Sequence, residues 1–320
     1  MKSVFKCAIV IPVFNEAENL PNLIKSIRKI SKRFTEFDFD IILVNDGSLD
    51  ESWQIIKSYI YEPGSNIIGI NFSRNFGKES AITAGMREAG DYNLVFTMDA
   101  DLQHPPEMIP KMLKQWQRGA EMVICIRESR EGETVFRKLS SIIFYKFMRS
   151  VSTLDTTRNS TDFRLYDQKV VLALNKLQEK VRIFRGLADW VGFKKVYLNF
   201  NAPKRVSGKS TFGVNALISL ATSSLVSFSL WPLKATAFLG FFVFVVGAFS
   251  LALITLDKFT IQYINAGPLA IVSVLHFSVS GIVLSAVGVI ALYLSKVNAE
   301  ISGRPIYIIA EKLTSKSENR

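Results

Sequence analysis

The sequence predicts an α/β domain on a mostly parallel, doubly wound sheet, followed by interface helices and a two-helix membrane hairpin. Three observations predict it. Short apolar runs alternate with helix-length amphipathic segments through the first half of the chain, and acidic residues stand where successive strands end. Two long stretches without Asp, Glu, Lys or Arg, Ala235–Leu256 and Leu269–Leu294, come near the far end.

The first strand reads over Cys7–Val13 and ends in Pro12-Val13-Phe14-Asn15-Glu16. No G-x-G-x-x-G follows it, which argues against a dinucleotide cofactor. A helix over Ala17–Lys32 leads to a strand over Asp40–Val44, which runs into Asn45-Asp46-Gly47-Ser48. Next come a helix over Glu51–Ile60, a strand over Asn66–Phe72 and a helix over Lys78–Ala89. The fourth strand, Asn93–Met98, ends in Asp99-Ala100-Asp101-Leu102-Gln103-His104, with a helix over Pro106–Arg118 and a strand over Met122–Ile126 beyond. The basic segment Arg127–Phe147 has apolar residues at helical spacing and either lies across phosphates or forms an exposed helix.

Each uncharged stretch is long enough to cross ~30 Å of hydrocarbon as a helix. Between them, Asp257–Pro268 holds one acid and one base. The outer flanks carry Lys204, Arg205, Lys209 and Lys234 on one side and Lys296, Arg304 and Lys312 on the other. By the positive-inside rule both flanks are cytoplasmic, so the sequence predicts a multi-pass protein of the cytoplasmic membrane with its α/β domain on the cytoplasmic side. No secretory signal precedes the first strand, because Cys7–Val13 is too short an apolar core. Phe212–Trp231, apolar yet rich in Ser and Thr, reads as helices lying in the membrane interface, a third span being the rival reading. The expected domains are 1–211 catalytic, 212–234 juxtamembrane, 235–294 spanning hairpin and 295–320 cytoplasmic tail, polar beyond Leu313.

The net charge of +11 suits an anionic membrane surface. Nucleic acid is disfavoured, since the bases are not interleaved with aromatic stacking platforms. Cys7 and Cys125 each sit in a strand-like apolar run and read as core residues. The string Ser207-Gly208-Lys209-Ser210 is no P-loop, because Pro203 stands where its first Gly is required.

Strand residues two apart point the same way. Asp99 and Asp101 can therefore converge on one hard cation at the sheet's carboxyl edge, where open α/β sheets bind ligands. An Asp-rich turn capping the next helix is the bland reading of the same residues. Asp46 adds a further strand-end acid, with Gly47 letting the backbone turn close to a ligand. A cation and a sugar nucleotide would use such an edge.

The segments VIPVFNE, VNDGSLDES, FSRNFGKESAITAG, MDADLQHPPE, TDFRLYDQKVV, RGLADWVGF, KRVSGKS and the closing RPIY occur in this order from Ala8 to Tyr307. This set resembles the GT-A-fold, family 2 inverting polyprenyl-phosphate glycosyltransferases, the bactoprenol glucosyltransferases above all, with dolichyl-phosphate mannose synthases as cousins. The resemblance implies that Pro12, Phe14, Glu16 and Asp46 hold the nucleoside, and that Asp99, Asp101 and Gln103 surround a divalent metal, Mg²⁺ or Mn²⁺, and the diphosphate. It implies Asp162 as the acidic residue with a catalytic role, and Arg205 and Lys209 as a basic lip near the lipid phosphate. Lys78 and Arg127 fall in the donor or phosphate region, the alternative for Lys78 and Lys209 being a solvated helix face. The implied partners are a UDP-sugar, polyprenyl phosphate and the membrane, and the implied assembly is a homo-oligomer, a tetramer. Two departures stand out: His104 replaces the Asp or Asn of many relatives, and Ala291-Leu292-Tyr293-Leu294-Ser295-Lys296 replaces Gly-Glu-Tyr-Ile-Gly-Arg in the second span.

The expected reaction moves one hexose, glucose from UDP-glucose first, onto a polyprenyl phosphate with inversion. A phosphate oxygen is already anionic near neutral pH, its second ionisation lying around 6. Asp162 is therefore expected to orient the acceptor or an arginine such as Arg164 as much as to remove a proton. Arg185-Gly186-Leu187-Ala188-Asp189-Trp190 lacks the Gln-x-x-Arg-Trp pattern of processive synthases, favouring single transfer. The alternatives are another sugar such as GlcNAc or mannose, a sugar-extending transferase, a nucleotidyltransferase, and a non-enzymatic membrane scaffold.

Overall fold

A computed structural model describes residues 4–128, 160–179, 184–201 and 268–315, with isolated positions between 236 and 249. The described residues fall into two compact units, the second drawn from the stretch 212–303 and the first from the chain on either side of it.

The first unit is a sheet with helices on both faces. Its elements are β1 (Phe5–Val13), α1 (Leu20–Ser31), β2 (Phe37–Asn45), α2 (Ser52–Ile60), β3 (Ile67–Phe72), α3 (Lys78–Glu88), β4 (Leu94–Thr97), a 3₁₀ turn at Pro106–Met108, α4 (Ile109–Gln117) and β5 (Met122–Arg127). These match the expected strands and helices to within a few residues at each end, where pattern reading is weakest. Beyond them lie β6 (Ser160–Asp167), α5 (Gln168–Lys176), α6 (Phe184–Trp190), β7 (Lys195–Phe200) and β8 (Ile309–Thr314), none of which the sequence analysis assigned.

The strand order is β7-β5-β6-β4-β1-β2-β3-β8. β1 pairs in parallel with β2 and β4, and β2 with β3. β6 runs antiparallel between β4 and β5, β7 is parallel to β5, and β8 closes the β3 edge antiparallel. Both faces are covered, so the central strands read as continuous apolar runs, as in Cys7–Val13, where every residue but the half-buried Pro12 is buried.

Alternation across the strands divides the interior in two. Ile9, Ile11, Leu43, Phe96, Phe163 and Leu165 pack under α1, α2 and α4, whereas Val10, Ile42, Val44, Val95 and Tyr166 pack under α3 and α5. α3 approaches β1 so closely that a Cβ at Gly85 would come within 2.2 Å of the Val10 side chain. That close seat sets α3 with its first residue, Lys78, at the carboxyl edge of the sheet.

In the second unit the described helix is α7, Pro268–Ile301, 34 residues long. It contains the uncharged stretch Leu269–Leu294, and its side chains are only partly described. Among the described residues no helix is long and apolar enough to cross a membrane. The other uncharged stretch, Ala235–Leu256, lies mostly outside the described residues, as do the interface segment Phe212–Trp231, most of the basic segment Arg127–Phe147 and the chain beyond Ser315.

Candidate active site

The carboxyl ends of β1, β2 and β3 are stitched together by short polar side chains. Asn15 N–H donates to Ser48 Oγ at 2.9 Å, Leu49 N–H donates to Asn15 Oδ1 at 2.8 Å, and Ala17 N–H donates to Asp50 Oδ2 at 3.1 Å. Asn45 Nδ2 donates to Asn71 Oδ1 at 2.7 Å, tying β2 to β3. Asn15 adopts φ +54°, in the left-handed region that Asn tolerates better than most residues. A cavity of about 540 Å³ opens here, lined among others by Phe14, Asn45, Gly47, Trp53, Asn71 and Arg74.

Asp46 is buried at the floor of this region. Its carboxylate accepts Phe76 N–H at 2.7 Å and Gly77 N–H at 2.9 Å, anchoring the β3–α3 loop. Burial raises its pKa and those two N–H bonds lower it again, with the net direction up. Gly47 has φ +67°, and a Cβ there would lie 2.4 Å from the Arg74 carbonyl carbon, so only glycine lets the two loops meet.

Beyond β4 the chain turns sharply, with Leu102 at φ +60°. Asp101, 8 % exposed, accepts Gln103 N–H at 3.1 Å, and Gln103 Oε1 in turn accepts from Arg127 at 3.1 Å. Asp99 N–H donates to His104 Nδ1 at 2.9 Å. The buried His104 ring stacks on Phe163 with centroids 5.1 Å apart. Burial depresses the His104 pKa; the accepted bond at Nδ1 places its proton on Nε2, 3.9 Å from Asp99 Oδ2. His104 thus shapes the Asp99 turn as a neutral residue.

Lys78 joins the two acidic groups. Its ammonium lies 2.6 Å from Asp99 Oδ1 and 2.6 Å from Asp162 Oδ2. Burial would lower its pKa, but the two carboxylates outweigh that and raise it. Lys78 is thus a bridging cation between the two carboxylates while its side chain remains 41 % exposed. Asp162 also accepts from Arg185 through both Nε and Nη2, a fork geometry that fixes direction as well as charge. Burial opposes ionisation of Asp162, yet Lys78 and Arg185 prevail and hold its pKa well below the usual carboxylate range. Glu79 accepts Phe184 N–H at 2.8 Å, seating the start of α6 so that Arg185 reaches Asp162.

The model for glycosyl transferase family 2 matches residues 8–174. The chain belongs to that family. It is 35 % identical over 304 residues to YkcC of Bacillus subtilis (strain 168), an uncharacterized glycosyltransferase, covering 94 % of this chain and 92 % of the relative. It is 32 % identical over 306 residues to the SfII prophage-derived bactoprenol glucosyl transferase of Shigella flexneri, covering 95 % and 97 %. The prophage bactoprenol glucosyl transferase homolog of Escherichia coli (strain K12) is 33 % identical over 309 residues, covering 95 % and 98 %. This chain is thus a glycosyltransferase on an α/β, GT-A-like, mostly parallel fold.

Within this family 2 enzyme, Asp99, Asp101, Gln103, Arg127, Lys78 and Asp162 share one edge of the sheet. Phe14 is on the rim of the 540 Å³ cavity, Pro12 pairs with Val44 within the sheet, and Glu16 accepts from Asn19 Nδ2 at 2.6 Å in the β1–α1 turn. Arg164, expected in the chemistry, lies beneath the site instead: it is 1 % exposed, and its Nε donates to the Thr161 carbonyl. Period-2 alternation puts it under Asp162 on the face that buries Tyr166. The arginine on Asp162 is Arg185, which sequence reasoning quoted within a motif without giving it a role. Arg205 and Lys209 lie outside the described residues.

Asp99 and Asp101 are oxygen donors of the type Mg²⁺ takes. Among the described residues no cluster of three or more His, Cys, Asp or Glu could hold a metal ion. Mg²⁺ does not require one, since it is commonly held by one or two carboxylates plus substrate phosphates. Oxygen donors such as Asp99, Asp101 and Gln103 also suit Mn²⁺.

Proposed function

We propose that this glycosyltransferase moves a single hexose, glucose from UDP-glucose in the first instance, onto the phosphate of a polyprenyl lipid with inversion. The observation that carries this reading is the Lys78 ammonium bridging Asp99 and Asp162 beside a nucleotide-sized cavity. One end of that arrangement suits a diphosphate and the other an acceptor phosphate. The bactoprenol glucosyl transferase names of two relatives supply the lipid and the sugar.

In this reading the cavity at the β1–β3 ends takes the nucleoside, with Phe14 and Arg74 at its wall and Asp46 holding its loops. Asp99 and Asp101 would hold the divalent metal, with Gln103 beside them, and the ion would neutralise charge growing on the departing diphosphate. Lys78 supplies fixed positive charge at the same place without reorganisation. Asp162 stays ionised and directs Arg185 and Lys78 toward the acceptor phosphate, whose own oxygen attacks. Arg164 holds the Thr161 carbonyl beside Asp162 as a positioning residue, and Arg127 orients Gln103. Arg205 and Lys209 would meet the lipid headgroup.

Ala235–Leu256 and Leu269–Leu294 form the membrane hairpin in this reading, with the catalytic domain on the cytoplasmic leaflet where nucleotide sugars and lipid phosphate meet. A homo-oligomer follows from the family resemblance alone. The test is to incubate the purified enzyme with polyprenyl phosphate and, in turn, UDP-glucose, UDP-GlcNAc and GDP-mannose, and to weigh the lipid product by mass spectrometry. One added hexose from UDP-glucose is the expected result. Products with several sugars, or no lipid product from any donor, would overturn it.

A further inference from the structure

The C-terminal strand plays no part in the transfer chemistry, yet it grips the wall of the cavity. On β8, Glu311 accepts the Trp53 indole Nε1–H at 2.9 Å and pairs with the Lys57 ammonium at 2.9 Å. Trp53 is 9 % exposed and lines the cavity, as do Phe72 and Ser73. The segment just before β8 touches both of these: Tyr307 stacks on Phe72 with centroids 5.0 Å apart and planes 10° from parallel, and the Ile308 carbonyl accepts Ser73 N–H at 3.0 Å. An indole N–H seeks an acceptor when buried, and a carboxylate is a stronger acceptor than a neutral oxygen. The bond to Glu311 therefore adds a directional restraint to an indole ring already packed in the core.

We propose that Glu311 is a positioning residue for the donor's nucleobase, acting through Trp53 to hold one wall of the cavity in place. This rests on the cavity being the nucleoside site. It goes beyond that reading by assigning part of donor recognition to a strand drawn from the far end of the chain, after α7 in sequence.

The experiment is a double-mutant cycle on the full-length enzyme, reading UDP affinity by calorimetry together with the KM for donor, the KM for acceptor and kcat. Glu311→Ala should raise the UDP Kd and donor KM ~5–10-fold, less than the full worth of a charge-assisted hydrogen bond because the lost bond reaches the donor only through the ring, with kcat and acceptor KM unchanged. Glu311→Gln keeps an oxygen for the indole and should return donor KM to within ~2-fold of wild type. Trp53→Phe keeps an aromatic ring without the donor. It should match Glu311→Ala, and adding Glu311→Ala to it should change nothing more. Additive effects, or a fall in kcat and acceptor binding in step with donor binding, would overturn the proposal. If Glu311→Ala does not fold, Trp53→Phe with wild-type UDP affinity overturns it equally. Wild-type enzyme that does not bind UDP at all would refute the nucleoside assignment itself, a separate outcome.

Discussion

Asp162→Asn separates an orienting carboxylate from a general base. The substitution keeps the shape but presents Arg185 and Lys78 with an amide whose nitrogen is itself a donor. Removing one member of a buried ion pair typically costs about 3–5 kcal/mol. Here Lys78 keeps Asp99 at 2.6 Å, and the Arg185 side chain is 44 % exposed. Screening at the exposed arginine cuts the expected stability loss to about 1–3 kcal/mol. The activity loss should be larger, ~10²–10³-fold, because the pair of cations is no longer aimed at one point.

The pH dependence carries the decision. Asp162 has a depressed folded pKa, so its ionised form and the stability it contributes are present above the unfolded value of about 3.9 and are lost only as pH falls through the folded value. From about pH 5.5 to 9 the wild-type residue does not titrate, and a carboxylate so weakly basic is a poor proton acceptor. Initial rates of labelled hexose transfer to polyprenyl phosphate in detergent should give a ratio of mutant to wild type that is flat across that range, with thermal melts confirming a folded mutant. A mutant rate that climbs toward wild type above the acceptor's second ionisation, near 6, would refute the orienting role.

Asp101→Asn should abolish transfer while unfolding stability shifts by less than about 1 kcal/mol, because the amide oxygen still accepts from Gln103 N–H; near-normal turnover in magnesium or manganese would remove Asp101 from the metal site, and chelation of wild type should stop the reaction equally. Lys78→Met should lower transfer ~10²-fold, since Asp99 and Asp162 lose their shared cation, and unchanged turnover in a steady-state assay would return Lys78 to a solvated role. For the membrane hairpin, Thr260→Cys and Ser315→Cys in a background lacking Cys7 and Cys125 should differ toward an impermeant thiol reagent on intact cells: labelling at position 260 alone is expected, and the reverse, or labelling of both, would overturn the cytoplasmic placement.

What the sequence made legible was local. The runs Cys7–Val13 and Met122–Ile126 announce buried strands by composition, and Asp46, Asp99 and Asp101 announce a ligand edge by standing at strand ends. Lys78 was legible as a position but not as a bridge, because its two partners come from different strands and one is separated from it by 84 residues. Arg185 and Glu311 were harder still. No periodicity links Trp53 to a carboxylate 258 residues away, and a mixed hexapeptide such as Ile309–Thr314 has no strand pattern of its own and pairs along the edge that β3 offers it. Arg164 is the opposite case. It was expected in the chemistry but is buried, because Ser160–Asp167, which the sequence had not marked as a strand, is covered on both faces.

The reversed direction of β6 is what makes one site out of these pieces. Asp99 and Asp101 leave the carboxyl end of β4, and in a sheet of parallel strands every such end lies on the same edge. Asp162 stands near the amino end of β6. Were β6 parallel to β4, that end would lie at the opposite edge, roughly 20–25 Å away across an eight-residue strand. Because β6 is antiparallel, with Arg164 opposite Thr97, its first residues lie beside the last residues of β4. The Thr97 hydroxyl then donates to the Asp162 carbonyl and locks that register. Lys78 can bridge Asp99 and Asp162 only in this arrangement, so a single inverted strand brings the proposed diphosphate end and acceptor end of the site within reach of one ammonium group.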